Sequence, residues 1–153
     1  MPWWQGLSFS LMSTVAYCIL FNVPIRTLFA GGMVGMLGWI VFQIMTIYGA
    51  SLTLSTFVAA TTVSLLSQLL SIYLRVPSTN FSVSGIIPLV PGSKAYKAML
   101  AFVNGQYLDG ITGMTITSLA AGAIAAGLIL GISIFSVWKG IVFRYAAKRA
   151  KAS

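Results

Sequence analysis

The chain has 153 residues, of which 58% are hydrophobic and only 7% are charged. A soluble domain carries about 25% charged residues because water must wet its surface, and a folded chain of this size still exposes about a third of its unfolded surface. Ten charges cannot cover that area, so the composition excludes a soluble globular protein and indicates a membrane protein.

The charged residues also exclude most catalytic chemistry. Nine lysines and arginines accompany a single acid, Asp109, and there is no histidine. Paired carboxylates, a Ser-His-Asp triad and a histidine metal site therefore cannot form within one chain. Ser93 and Lys94 are the one conceivable Ser-Lys pair, but adjacent residues point in different directions from a helix. We expect neither an enzyme nor a cofactor.

Three uncharged runs in the first half of the chain are predicted to be membrane-spanning helices. They cover residues 7–23, 28–48 and 52–74, and each approaches the ~20 apolar residues that cross ~30 Å of hydrocarbon. Trp3 and Trp4 precede the first run, where amphipathic rings suit the headgroup level.

The fourth apolar segment, residues 81–103, is predicted to be a broken span. Proline removes a backbone donor and clashes with the preceding turn, so no continuous helix is expected through Pro88 and Pro91. We predict a break followed by a new helix from about Ser93. A polar link leads to the last span, residues 112–138, and a basic tail follows at 139–153.

The cations predict the orientation in the membrane. Arg26, Arg75 and the basic tail are expected on the cytoplasmic side, as membrane flanks and not as a nucleic-acid surface. Five crossings place all three there, with the N-terminus and Asp109 outside. If segment 81–103 only dipped into the membrane, the tail would lie outside. We therefore predict an all-α polytopic protein of five spans, one transmembrane domain over residues 1–153.

Small and polar residues mark the interior faces of the spans. Gly31-x-x-x-Gly35 and Gly127-x-x-x-Gly131 predict close helix packing. The third span carries a polar stripe at steps of three and four residues, suited either to interhelical hydrogen bonds or to the lining of a wet pathway. The pathway candidates are Thr53, Ser64, Ser67 and Gln68.

The break is the candidate transport site. Broken helices in transporters hold anions at the amide end of a half-helix and cations at unwound carbonyls. The alternative is a loop with an interfacial helix whose lysines reach the headgroups. Lys97 is expected to add charge near the amide end, and Lys94 to project from another face. The candidate substrate-binding residues are Pro88, Pro91, Gly92, Ser93, Lys94, Tyr96 and Lys97.

The same stretch carries a family resemblance. The run Ile86-Ile-Pro-Leu-Val-Pro-Gly92, followed by Ala95-Tyr96 and Ala98-Met99, resembles the hallmark of threonine/serine exporters. Nearly the whole chain is similar to the small subunit of the split, two-chain form. Its region between the first two spans matches at Phe21-Asn-Val-Pro24, Arg26 and the glycine-rich run 31–35.

The resemblance implies a bacterial inner-membrane protein that exports threonine and serine together with a larger subunit. A homologous five-span partner domain of opposite topology would complete an inverted repeat, with the site near the midplane. Relatives are also linked to dicarboxylate export, and Lys94, where the family pattern has a small or apolar residue, favours a more anionic substrate. A pore-forming protein or a purely structural subunit are further alternatives, although a holin needs no broken span.

Overall fold

The computed structural model describes residues 3–150, with side chains described for residues 3–141. Within that range the chain forms α-helices, one 3₁₀ turn and no strand, which confirms the all-α prediction. The side chains of the basic tail beyond residue 141 lie outside this description. The elements are α1 (Trp3–Leu20), α2 (Ile25–Ile47), α3 (Leu52–Leu74), α4 (Thr79–Gly85), the 3₁₀ turn (Ile87–Leu89), α5 (Gly92–Val103) and α6 (Tyr107–Ala150).

The first span ends earlier than predicted. Helix α1 stops at Leu20, whereas apolarity alone extended the span to residue 23. Asn22 adopts the left-handed conformation (φ 53°), which asparagine tolerates better than most residues. The Val23 N–H then donates to the Cys18 carbonyl at 3.0 Å, a pattern that closes helix ends. Pro24 precedes α2 and pre-sets the chain for the next helix.

The third span matches its predicted bounds. Ser51 caps its start, because its side-chain oxygen accepts a hydrogen bond from the Leu54 N–H at 3.3 Å, as favoured at N-caps. Helix α3 ends at Leu74, and the residue that follows, Arg75, adopts the left-handed conformation (φ 55°).

The fourth segment is broken where the prolines predict it. Helix α4 ends at Gly85, the 3₁₀ turn follows, and α5 begins at Gly92, one residue before the expected start. The two arms are bent by 52°. Because Pro88 and Pro91 lack an N–H, neither can donate to the carbonyl four residues earlier, and the helix cannot continue through them.

Helix α6 is longer than the predicted last span. It begins at Tyr107, not at residue 112, and continues to Ala150. Asp109 therefore lies in the first helical turn and not in a polar link. An acid is stabilised there by the positive end of the helix dipole, so the helix starts before the apolar run does.

Helices α3 and α6 run parallel, because their contacts advance along both helices together. Near their starts Ser51 and Ser118 line one groove, and further along the Ser64 Oγ–H donates to the Leu128 carbonyl at 2.9 Å. The segment between them must return from the end of α3 to the start of α6. Residues 79–103 consequently run the length of the bundle.

The bundle has two ends with different charge. The Arg75 end holds Arg26, Arg75 and the region of Lys139, since α3 and α6 meet there through Leu69 and Trp138. The Asp109 end holds the turn between α2 and α3 and the link between α5 and α6. Helix α5 and the start of α6 project past Ser51 at this end, because Ser118 is already level with that residue.

Three helices are long and apolar enough to cross a membrane, namely Ile25–Ile47, Leu52–Leu74 and Tyr107–Ile141, and the bent pair brings the count to four. Helix α1, with 18 residues, falls outside this group because of its polar residues, such as Gln5, Ser8 and Ser13. It nevertheless packs along α2 with its direction reversed, so a fifth crossing by α1 stays a prediction.

Glycines permit the closest helix contacts, as their spacing predicts. Gly31 lies against the Cys18 side chain and Gly35 against Thr14, which joins α2 to α1. On α6, a Cβ at Gly127 would lie 2.7 Å from the Phe57 carbonyl oxygen of α3. The core between these contacts is apolar and comprises Val34, Ala59, Ala60, Val63, Leu89 and Ile124.

Candidate functional site

A cavity lined by both polar and apolar residues, called here the polar cavity, lies where the 3₁₀ turn meets α1 and α2. Its volume is about 440 Å³. Pro88 contributes the wall from the break, Trp39 and Gln43 the wall from α2, and Ser10 and Ser13 part of the wall from α1. Residues spaced by three or four positions share one face of a helix, so each helix presents a single face to the cavity.

The cavity offers several hydrogen-bonding groups to a guest. The Ser10 hydroxyl donates to the Gly35 carbonyl at 3.2 Å, and the Ser13 hydroxyl to the Ser10 carbonyl at 3.1 Å. Both hydroxyl oxygens retain lone pairs. Gln43 brings an amide with donors and an acceptor, and Trp39 an indole N–H. Gly6 and Phe9 complete the lining, so the cavity presents apolar surface beside these polar groups.

The break lies between the middle of the bundle and its Asp109 end. Gly85 packs against Val34 and Val63, near the centres of α2 and α3, each 2.9 Å from a Cβ at that glycine. Pro88 is one turn further along, beside Gln43. The freed backbone of the break thus lines a polar cavity, which is the setting in which irregular backbone is tolerated inside a membrane.

The start of α5 is open on its outer side. A Cβ at Gly92 would meet nothing within 4 Å, and Pro91 gives the helix no side-chain cap. Ser93 is exposed, and Tyr96 is 68% exposed and lines no described cavity. Packing within this chain therefore does not explain the glycine, whose N–H donates to the Val90 carbonyl at 2.8 Å.

Lys94 and Lys97 lie away from the polar cavity, in a groove of about 280 Å³ between α5 and α6. They share this groove with Asp109. The expectation that Lys94 projects from another face was wrong, because the two lysines are three residues apart and fall on one face of α5. Ala98, on the same helix, packs against Gly113 of α6 at 2.9 Å from a Cβ at that glycine.

The polar stripe of α3 divides between two environments. Thr53 lines an open groove of about 510 Å³ between α3 and α6. Ser64 and Ser67 are fully buried, with the Ser64 hydroxyl bonded to α6 as above and the Ser67 hydroxyl donating to the Val63 carbonyl at 2.7 Å. Gln68 is half-buried. The interhelical hydrogen bond that the stripe allows is therefore present at Ser64.

The structure does not gather the sequence-predicted site residues in one place. Pro88 lies in the polar cavity, the lysines lie in the α5–α6 groove, and Pro91 to Ser93 lie between them. The sequence reasoning missed Ser10, Trp39 and Gln43. Gln43 gave a usable signal, since a side-chain amide in a membrane helix is costly unless it faces a partner or a cavity.

A comparison with protein families finds a match over most of the chain. The family model described as Threonine/Serine exporter, ThrE, matches residues 6–134. The matched range includes the polar cavity, the break and the α5–α6 groove. No solved structure matches the chain.

Proposed function

Because the chain belongs to the threonine/serine exporter family, we propose that it is the small subunit of a two-chain secondary transporter that exports threonine and serine. Family membership and the apolar helices make it a multi-pass membrane protein whose substrate is a small molecule. The division of the exporter into two chains and the choice of substrate belong to the proposal.

The observation that carries the proposal is the opening of the Pro88 break onto the polar cavity. A substrate hydroxyl can exchange hydrogen bonds with Gln43 or with the serines of α1. Its ammonium group needs acceptors, and the carbonyls of residues 87–89 are proposed to supply them. The Ile87 carbonyl already accepts from the Val90 N–H at 3.3 Å, but a carbonyl oxygen has a second lone pair. Its carboxylate is received at the start of α5 by the Ser93 amide, where the dipole supplies about half a positive charge. The Gly92 N–H is already engaged, since it donates to the Val90 carbonyl at 2.8 Å.

The remaining candidate residues are proposed to surround the substrate site or to line the route to it. Pro91 and Tyr96 frame the start of α5. Lys97, one turn beyond Ser93, adds positive charge from its place in the α5–α6 groove. On α3, Thr53 and Gln68 are proposed to line the route. Ser64 and Ser67 are proposed to border it from the helix interface that they stabilise.

A larger homologous subunit is proposed to close the pathway. The cavity has walls from α1, α2 and Pro88 and is open on its remaining side. The outer side of α5 is open as well. A single five-span chain would expose these polar groups to lipid, whereas an inverted partner domain would cover them. The positive-inside rule then places the Arg75 end in the bacterial cytoplasm and the Asp109 end outside.

Dicarboxylate export is the second candidate. The observation that favours it is the shared groove of Lys94 and Lys97, because two cations suit a substrate with two carboxylates. A simple pore and a purely structural subunit fit less well, since neither needs a broken span beside a polar cavity.

Efflux measurements test the proposal. Cells are loaded with threonine, serine or succinate, and efflux is followed with the chain alone, with the partner alone and with both. We expect threonine and serine efflux above background only when both are present. Robust export by the purified chain alone in liposomes would refute the two-chain proposal. Efflux of succinate but not of threonine would show that the substrate is a dicarboxylate.

A further inference from the structure

The groove between α5 and α6 gathers charges of both signs at the Asp109 end. The chain has ten charged residues, and three of them line this groove, namely Lys94, Lys97 and Asp109. Asp109 is the only acid. Next to the groove, the Phe102 ring packs against Gly110, with ring atoms 3.0 Å from a Cβ at the glycine.

Helix packing sets the spacing between the two lysines on α5 and Asp109 on α6. Helices α5 and α6 are antiparallel, because Phe102 faces Gly110 while Ala98 faces Gly113. Lys97 adjoins Ala98, and Asp109 precedes Gly113 by one turn, so the Cα atoms of Lys97 and Asp109 differ in height by about one helical pitch, ~5.4 Å. Within residues 3–141 no ion pair links Asp109 to either lysine. The gap between them is available to a ligand.

We propose that this groove binds the zwitterionic form of a small amino acid, with Asp109 receiving the ammonium group and Lys97, supported by Lys94, receiving the carboxylate. The inference rests on the proposed export function and adds a second binding site for its substrate. A zwitterion carries its two charges within a few ångströms of each other and fits between one acid and the lysines. A dicarboxylate would meet repulsion at Asp109, which works against the second candidate function.

The position of the groove makes it a vestibule at the exit side. Helix α5 and the start of α6 project past the α2–α3 turn, so the groove lies beyond the polar cavity and not at the bundle centre. Exposed charges are inexpensive at this level because water and headgroups solvate them. Substrate released from the break would reach this groove on its way out.

Protection from thiol labelling tests the groove directly. In a Cys18→Ala background, Ile116→Cys places a probe in the groove, and Tyr107→Cys places a matched probe nearby on α6 that does not line it. A membrane-impermeant methanethiosulfonate reagent is applied to the full chain in membranes. We expect threonine at about ten times its Kd to slow labelling about tenfold at position 116 and to leave position 107 unchanged. Succinate should protect neither.

Charge variants then decide which groups bind. Asp109→Asn should abolish threonine protection and Asp109→Glu should retain it, whereas Arg26→Gln, at the opposite end, should have no effect. Absence of threonine protection in the unmodified groove, equal protection by succinate, or protection that survives Asp109→Asn would each overturn the proposal. Melting temperatures of the variants confirm that the bundle is intact.

Efflux separates this inference from the proposed function. With the partner present, Asp109→Asn should lower the ratio of threonine to succinate efflux by about tenfold, a difference of ~1.4 kcal/mol. If the unmodified chain and its partner export nothing while threonine still protects position 116, the proposed export function is wrong and the proposal for the groove is retained. If export proceeds but threonine gives no protection at position 116, only the proposal for the groove is wrong.

Discussion

Gly92 and Gly140 are both helical glycines at which an added Cβ would meet no atom within 4 Å. Valine can therefore be placed at either without a clash inside this chain. At Gly92, however, the side chain would lie beside the start of α5, where the substrate carboxylate is proposed to bind. We expect Gly92→Val to lower threonine export about tenfold, ~1.4 kcal/mol, and Gly140→Val to leave it unchanged. Efflux from loaded cells with the partner measures both, after insertion and assembly have been verified. Equal rates for the two variants would make the Pro-Gly break a packing feature only.

Gln43 and Thr46 lie one turn apart on α2, but only Gln43 lines the polar cavity. The Thr46 hydroxyl donates to the Phe42 carbonyl at 2.8 Å, on an exposed face. Gln43→Leu removes an amide that is free to bind a substrate hydroxyl, and a lost hydrogen bond of this kind costs about 1 kcal/mol. We expect it to raise the apparent KM for threonine roughly fivefold, whereas Thr46→Val should leave KM unaltered. An unchanged KM in Gln43→Leu would remove this residue from the site.

Single residues show what the sequence could and could not predict about the site. Pro88 and Pro91 fix the break locally, because a missing N–H has the same effect in any fold. The cavity beside the break depends on which face of α1 and α2 it meets. That pairing is a tertiary property, so Ser10 and Trp39 could not be found from spacing alone. The presence of Lys94, Lys97 and Asp109 in one groove likewise depends on how α5 packs against α6.

At the scale of elements, the contact of α3 with α6 depends on glycines that cannot be enlarged. A Cβ at Gly127 would lie 2.7 Å from the Phe57 carbonyl oxygen and 3.1 Å from the Thr61 nitrogen, both of which are backbone atoms. Gly122, on the same helix, has open space. We expect Gly127→Val to lower the free energy of unfolding by about 1–3 kcal/mol and Gly122→Val to change it little. Thermal unfolding of the purified chain in detergent compares them, and equal stability would contradict the close packing.

The element boundaries also separate local from tertiary causes. Helix α3 matches its predicted range because its signals, a serine cap and an apolar run, are local. Helix α6 begins five residues earlier than apolarity indicates (112 − 107 = 5), since α5 packs beside its first turns and Asp109 suits a helix start. Hydrophobicity marks only the part of a helix that lies in lipid. Where a helix extends past the bilayer, hydrophobicity does not show where the helix begins or ends.

At the scale of the whole molecule, the parallel course of α3 and α6 fixes which termini share an end. The sequence predicts this arrangement from charge alone, and the helix contacts place Arg26, Arg75 and the Lys139 region together in agreement with it. The side of the membrane that each end faces follows from the positive-inside rule and stays a prediction, because helix packing is the same in either orientation.

Cysteine accessibility resolves the orientation. Cys18 is fully buried and is replaced by alanine, so that single cysteines report alone. Asn104→Cys lies in the exposed link between α5 and α6, and Ala152→Cys lies in the basic tail. If the positive charges hold the Arg75 end in the cytoplasm, an impermeant thiol reagent added to intact cells should modify position 104 and spare position 152. Permeabilised cells provide the control, since both positions should then react. Labelling of position 152 alone in intact cells would reverse the orientation, and with it the assignment of the α5–α6 groove to the exit side.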